Sequence, residues 1–460
     1  MNYNRRSFIK TAATGSAAVA FSPQIGLSAE KSINVEIINP RNRVPVSMII
    51  DDSTTLVNLA HFGIPQFAEV FPDKYKQDWR KLPREIPDSF VREFGEWSED
   101  NGVKGKYSIV PYPACTGWVN RFIPGWTKRE LEDSLKLVRE GIMPNWDIHP
   151  EMISHTRVID IKTGKPFEQA TPDFMENWEW SQNKSADELA AYQAFALNIL
   201  KDAGLYCEGI TTPGGYAGRN QNNLALSTLQ SVRDVYGAEI PHYFRNLYTE
   251  KGKSVAPEVL HVSGLESSDP KCVVSINGCT GDWFGGWDGL VPGDVNKFIT
   301  EDLQTGRMVD VIDSGEPAIM VCHWPGIYYN GEKVGFNIFK EVVNRIHQKY
   351  DDLIWMKLSE ISRYWAAKEL TSIEMNKNII KLKAPFATND FTIRINSNSK
   401  NPGLKNGAPF IRVQKTTDIK SNSYFTDKSG TIICFNLKKG ESELEILGLN
   451  NTLPKIGRRK

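Results

Sequence analysis

Asp51 and Asp52 stand side by side at the end of the apolar run VPVSMII, residues 44–50. Adjacent carboxylates repel and each is costly to desolvate, so such a pair either faces water in a turn or shares a cation. The histidines bear on that choice. The chain has seven, and two of them, His149 and His155, fall in the single stretch WDIHPEMISHT, while His323 closes the apolar run PAIMVCH. A divalent transition metal accepts neutral imidazoles plus a carboxylate, and Asp52 can supply the carboxylate. The competing reading makes each histidine a satisfied structural residue and the aspartates a turn.

Groups this far apart in sequence meet only if several strands carry them to one place. Between residue 44 and about 366, β-rich runs (VPVSMII, KYSIVPY, EMISHT, LYCEGITT, KCVVSI, PAIMVCH, LIWMKLS) alternate with amphipathic stretches such as KRELEDSLKLVREG, SADELAAYQAFALNILKDAG and GFNIFKEVVNRIHQKY. That alternation predicts an α/β fold with a parallel sheet, and about seven units favour a distorted (β/α)7-type barrel over an open sheet. In a barrel, active groups collect at the C-terminal strand ends. On this reading Asp51-Asp52 end the first strand, His155 the third and His323 the sixth, with Pro213 just after the fourth. Beyond residue 367 the long helical stretches stop. Short alternating strands (IIKLKAPF, FTIRIN, FIRVQK, GTIICFNLKKG, ELEILG) predict a small β-sandwich over 368–460, leaving 30–367 to the barrel.

Lys plus Arg equals Asp plus Glu at 55 each in 460 residues, which gives no global field for nucleic acid or an anionic membrane. The N-terminal stretch NRRSFIKTAATGSAAVAF resembles a twin-arginine export signal, with Arg5-Arg6 ahead of a short, weakly apolar run. The expectation is a signal over residues 1–29 cleaved near Ser28-Ala29, with no stable membrane anchor. The twin-arginine export machinery would then be a partner, and the location periplasmic or secreted. The six cysteines have no framework spacing, and only Cys272 and Cys279 are close enough in sequence to suggest a local bridge. Trp118, Trp146, Trp283, Trp287 and Trp324, among twelve tryptophans, fall in predicted loops on the motif side, and GDWFGGWDG reads as exposed. Such loops suit a saccharide, whose rings present apolar faces to aromatics.

In order along the chain, IIDDS, EMISHT, TTPGGYAG and IMVCHWPG, followed by DDLIWMKLSEISRYW, resemble the motifs of the polysaccharide deacetylases, NodB-type carbohydrate esterases with a distorted (β/α) barrel. The resemblance spans residues 44 to about 366. It implies a metal-dependent hydrolase removing acyl groups from a saccharide. Asp51 would be the general base, Asp52 and His155 metal ligands, zinc the expected metal, and His323 the acid that protonates the leaving group. Two positions depart from the pattern. Ile159 stands where a second metal histidine belongs, so His149, or else Asp160, would replace it. Thr212 stands where an arginine belongs before Pro213, with Arg219 the nearest substitute. Pro213, Arg219, Trp283, Trp287 and Trp324 would then line the substrate site. The alternatives are a glycoside hydrolase using Asp282 or Asp288 with Glu208, and a noncatalytic glycan-binding protein that has lost its metal.

Overall fold

The computed structural model describes residues 34–447 except Lys377 and Asn406, so the twin-arginine stretch and the basic tail lie outside the described residues. All that follows concerns one compact unit beginning at Val35.

Seven strands matter for the site: β1 (Val44–Asp51), β2 (Gly105–Ser108), β3 (Trp146–His149), β4 (Gly209–Thr211), β5 (His242–Leu247), β6 (Lys271–Gly278) and β7 (Ala318–His323). Every residue of β1 is buried, which is why its sequence reads as a nearly unbroken apolar run instead of an alternation. β1 lies between β7 and β2, and β3 follows β2, all parallel. A second sheet runs β4-β5-β6, also parallel, with the antiparallel strand Glu258–Ser263 on its edge.

The two sheets meet at both margins through isolated bonds. On one side Glu151 bridges Thr211, whose N–H donates to Pro150 O at 3.0 Å; on the other Cys279 N–H donates to Ile319 O at 2.8 Å. The part that carries these strands is therefore a mixed α/β fold built on two sheets, and the expected continuously hydrogen-bonded barrel is not formed among the described residues. Helices connect the strands. The one over Ala186–Asp202 starts at a capping box between Ser185 and Glu188, as its sequence predicts.

Two further expectations need correction. The stretch EMISHT is not a strand: the ladder ends at His149, Pro150 cannot donate to it, and Met152 and His155 have φ of 47° and 67°. Cys272 and Cys279 are free thiols. Seven residues along an extended strand span roughly 23 Å, far beyond disulfide reach. The C-terminal segment folds into two antiparallel-rich sheets, and Val35–Ile37 pairs with Thr388–Ile395 in one of them. Tyr364, in helix Leu358–Leu370, donates its hydroxyl to Ile38 O at 2.6 Å and accepts from Thr392 N–H at 3.3 Å.

Candidate active site

β1 delivers Asp51 to the rim, and Asp52 follows with φ 59°, in the left-handed region, so the chain turns at once. The N–H of Asp52 donates to Glu151 Oε2 at 2.8 Å. His155 Nε2 lies 2.7 Å from Asp52 Oδ1 and 3.3 Å from Glu151 Oε1. One ligand atom from each of Asp52, Glu151 and His155 falls within a 4.8 Å cluster, and all three residues are buried. Asp52 Oδ1 is buried without an aligned hydrogen-bond donor despite its contact with the imidazole. A buried imidazole nitrogen within 2.7 Å of one carboxylate oxygen and 3.3 Å of a second is a donor set that fits a divalent cation. Without one, a proton on His155 stands in for the positive charge. Burial disfavours that imidazolium, yet Asp52 and Glu151 hold its pKa well above the usual histidine value. Burial likewise works to raise Glu151, but His155, Lys106 and the Asp52 N–H outweigh it and bring Glu151 down to about 2.

A second pair of groups flanks this cluster. The register of β7 on β1 sets His323 directly beside Asp51. Asp51 Oδ1 pairs with the ammonium of Lys106, which is wholly buried on β2 and also donates to Ile50 O at 2.9 Å and Ser108 Oγ at 2.8 Å. Burial pushes Asp51 up to about 6 even though Lys106 pulls the other way. His323 Nδ1 sits 3.0 Å from Asp282 Oδ2. Burial lowers the His323 pKa, but Asp282, Asp52 and Asp51 overcome it and raise it to about 10, so the ring is protonated at neutral pH.

Not every expected residue joins the site. His149 turns its Nε2 to His242 Nε2 at 2.9 Å and its Nδ1 to Thr211 Oγ1 at 3.3 Å, a buried pair apart from the cluster. The cluster that could hold a metal ion contains Glu151 and not His149. Ile159 is buried, and Asp160 caps a turn through Lys162 N–H and Thr163 Oγ1. Arg219 is exposed and paired with Glu179; the cation on Asp51 is Lys106 instead. Trp324 is core, packed at 4.9 to 5.2 Å on Phe90, Phe94 and Tyr107, and Trp146 is core as well. Trp283 is half-buried against Phe298, and Pro213 is buried with its carbonyl accepting from Tyr216 N–H. Trp287 belongs to an aromatic group with Phe67, Tyr75 and Trp178, in which Phe67 lies 6.4 Å from the His155 ring. Glu208 precedes β4 whereas Asp282 follows β6, and parallel strands put those ends on opposite rims, so they form no catalytic pair. Asp288 is buried, accepting from Gln77 Nε2 and Leu290 N–H.

Glu151 and Lys106 were legible in principle. Glu151 sits four residues before His155, and Lys106 interrupts a β-rich run, where a buried ammonium demands a carboxylate.

No family model and no curated protein matches the chain. Among solved structures, a probable polysaccharide deacetylase from Pseudomonas aeruginosa PAO1 is 10% identical over 71% of this chain and 91% of its own, with a TM-score of 0.38. A protein assigned as a glycoside hydrolase/deacetylase from Parabacteroides distasonis is 11% identical over 78% and 82%, at 0.39. Puue allantoinase is 10% identical over 71% and 91%, at 0.35. Likenesses this faint decide nothing about function.

Proposed function

We propose that this protein is an exported, metal-dependent hydrolase that removes acyl groups, N- or O-acetyl, from a saccharide. The observation that carries the reading is the buried cluster of Asp52, Glu151 and His155 with a proton-accepting and a proton-donating group beside it. Asp52, Glu151 and His155 would hold a divalent cation, zinc being the first choice for a set containing imidazole. When bound, the cation supplies Lewis acidity toward water and an acyl oxygen.

The chain's own residues handle the protons. Asp51 takes the proton from the attacking water. Lys106 fixes that carboxylate through one oxygen and favours its ionised form against the cost of burial. His323, held protonated by Asp282, gives its proton to the departing nitrogen or oxygen. Half-buried Tyr75, Trp178 and Trp287 pack around Phe67, which lies 6.4 Å from the His155 ring, an aromatic group suited to the apolar face of a sugar. The twin-arginine stretch supports export to the periplasm or beyond.

The test is acetate release from acetylated saccharides by purified protein, before and after chelation and after zinc is restored. Turnover that falls with chelation and returns with metal supports the reading. Chelation-resistant turnover, or none on any acylated sugar with metal bound, overturns it.

A further inference from the structure

Glu176 is a carboxylate with no solvent exposure and no cationic side chain bonded to it, a costly arrangement that its surroundings must offset. Its partners are peptide groups. Glu176 Oε1 accepts from Ile153 N–H at 3.2 Å and Ser154 N–H at 3.1 Å, and Oε2 from Ser154 N–H at 3.0 Å and His155 N–H at 2.5 Å. The Tyr192 hydroxyl donates to Oε1 and accepts from Ile159 N–H at 3.1 Å, tying the carboxylate to helix Ala186–Asp202.

The loop so gripped is the one between β3 and residue 156 that carries both Glu151 and His155. It has no ladder of its own, and Met152 and His155 both sit at positive φ, which non-glycine residues avoid. Something outside the loop must hold it. The backbone around Glu176 runs alongside: Glu176 N–H donates to Thr156 O at 2.8 Å, Val158 N–H donates to Phe174 O at 2.9 Å, and Arg157 bridges Met175.

We infer that Glu176 is a positioning residue, a clamp that fixes the 153–155 backbone so that His155 Nε2 meets Asp52 and Glu151 before any cation arrives. The inference rests on the metal-site reading above and goes beyond it by assigning the preorganisation of the site to a residue that is not a ligand. The substitution Glu176→Gln would keep the side chain's shape but turn an amide N–H₂ toward peptide donors, losing half the clamp.

Glu176→Gln is compared with wild type in titrations with zinc, against a chromogenic chelator, and with cobalt, whose visible spectrum reports ligand geometry. Thermal melts of both metal-free proteins give the fold's own response. Affinity should fall about 10- to 100-fold, the range for losing an outer partner of a metal ligand, with an altered cobalt spectrum. Affinity within about twofold of wild type and an unchanged spectrum would overturn the clamp while leaving the metal site standing. No metal bound by wild type would instead overturn the site itself, and the clamp with it. Should the variant fail to fold, hydrogen exchange in metal-free wild type decides. Slow exchange at Ile153, Ser154 and His155 supports the clamp, and exchange at open-loop rates refutes it.

Discussion

His149 and His155 lie six residues apart, both buried, and burial has opposite outcomes for them. His155 faces two carboxylates, and its pKa rises well above the ordinary value. His149 faces a second imidazole, and burial, His242 and Lys106 together push its pKa well below. One histidine thus sits where a positive charge is wanted and the other where none is tolerated. The partner each ring faces, more than the residue or its burial, decides whether a histidine serves chemistry or structure.

The largest effect that could break this contrast comes from His155→Ala. Bound metal should be lost and turnover should drop by on the order of a thousandfold or more, because water and acyl oxygen lose their Lewis acid. His323→Ala should keep the metal yet lower turnover by about 10² to 10⁴, and should hurt least on aryl esters, whose leaving group needs no proton. Equal losses on aryl esters and sugar amides would remove His323 from the role of acid.

Asp282→Asn sharpens the electrostatic side of the comparison. Activity requires protonated His323, so it is lost as pH rises through that group's pKa, about 10 in the intact pair. Removing the Asp282 charge should move the alkaline limb of kcat/KM down by about one unit or more. An unmoved limb would assign it to another group.

Smaller effects belong to the structural pair. His149→Ala should leave metal binding intact and cost about 1 to 3 kcal/mol of stability by stranding His242 in the interior, as urea unfolding would report. Acid should act on the same place. Burial depresses His242 to about 4 from an ordinary 6.5, so between those values the unfolded chain binds more protons than the folded one. The pair's contribution is then complete above about 6.5 and declines as pH falls toward 4. A double His149→Gln, His242→Gln variant should show a flatter urea midpoint between pH 7 and pH 5 than wild type.

Much of this fold is visible in local pattern. Val44–Asp51 and Ala318–His323 read as buried strands from their apolar runs, and helix Ala186–Asp202 from its cap and period. His242–Leu247 escaped because its HYFRNL mixes polar and aromatic residues without alternation. The loop of Glu151 and His155 looked like a strand because apolar Met152 and Ile153 and β-branched Thr156 fall in one short run, while Pro150 and two positive φ angles override that tendency. Asp51, Asp52 and His323 stand out by type and by strand-end position, and His155 by type alone, since the stretch that carries it is not a strand. Lys106, Asp282 and Glu176 are matched to their partners through sheet register and loop packing, which no local spacing encodes, whereas Glu151 is joined to His155 across only four residues.

The most direct measurement is elemental analysis of the protein, reconstituted with zinc and freed of excess, for wild type and for the His149→Ala, Glu151→Ala and His155→Ala variants. About one divalent ion per chain in wild type and His149→Ala, and none in the other two, is the expected result. Wild type without metal, or metal lost from His149→Ala but kept by Glu151→Ala, would contradict the assignment of Asp52, Glu151 and His155 as its ligands.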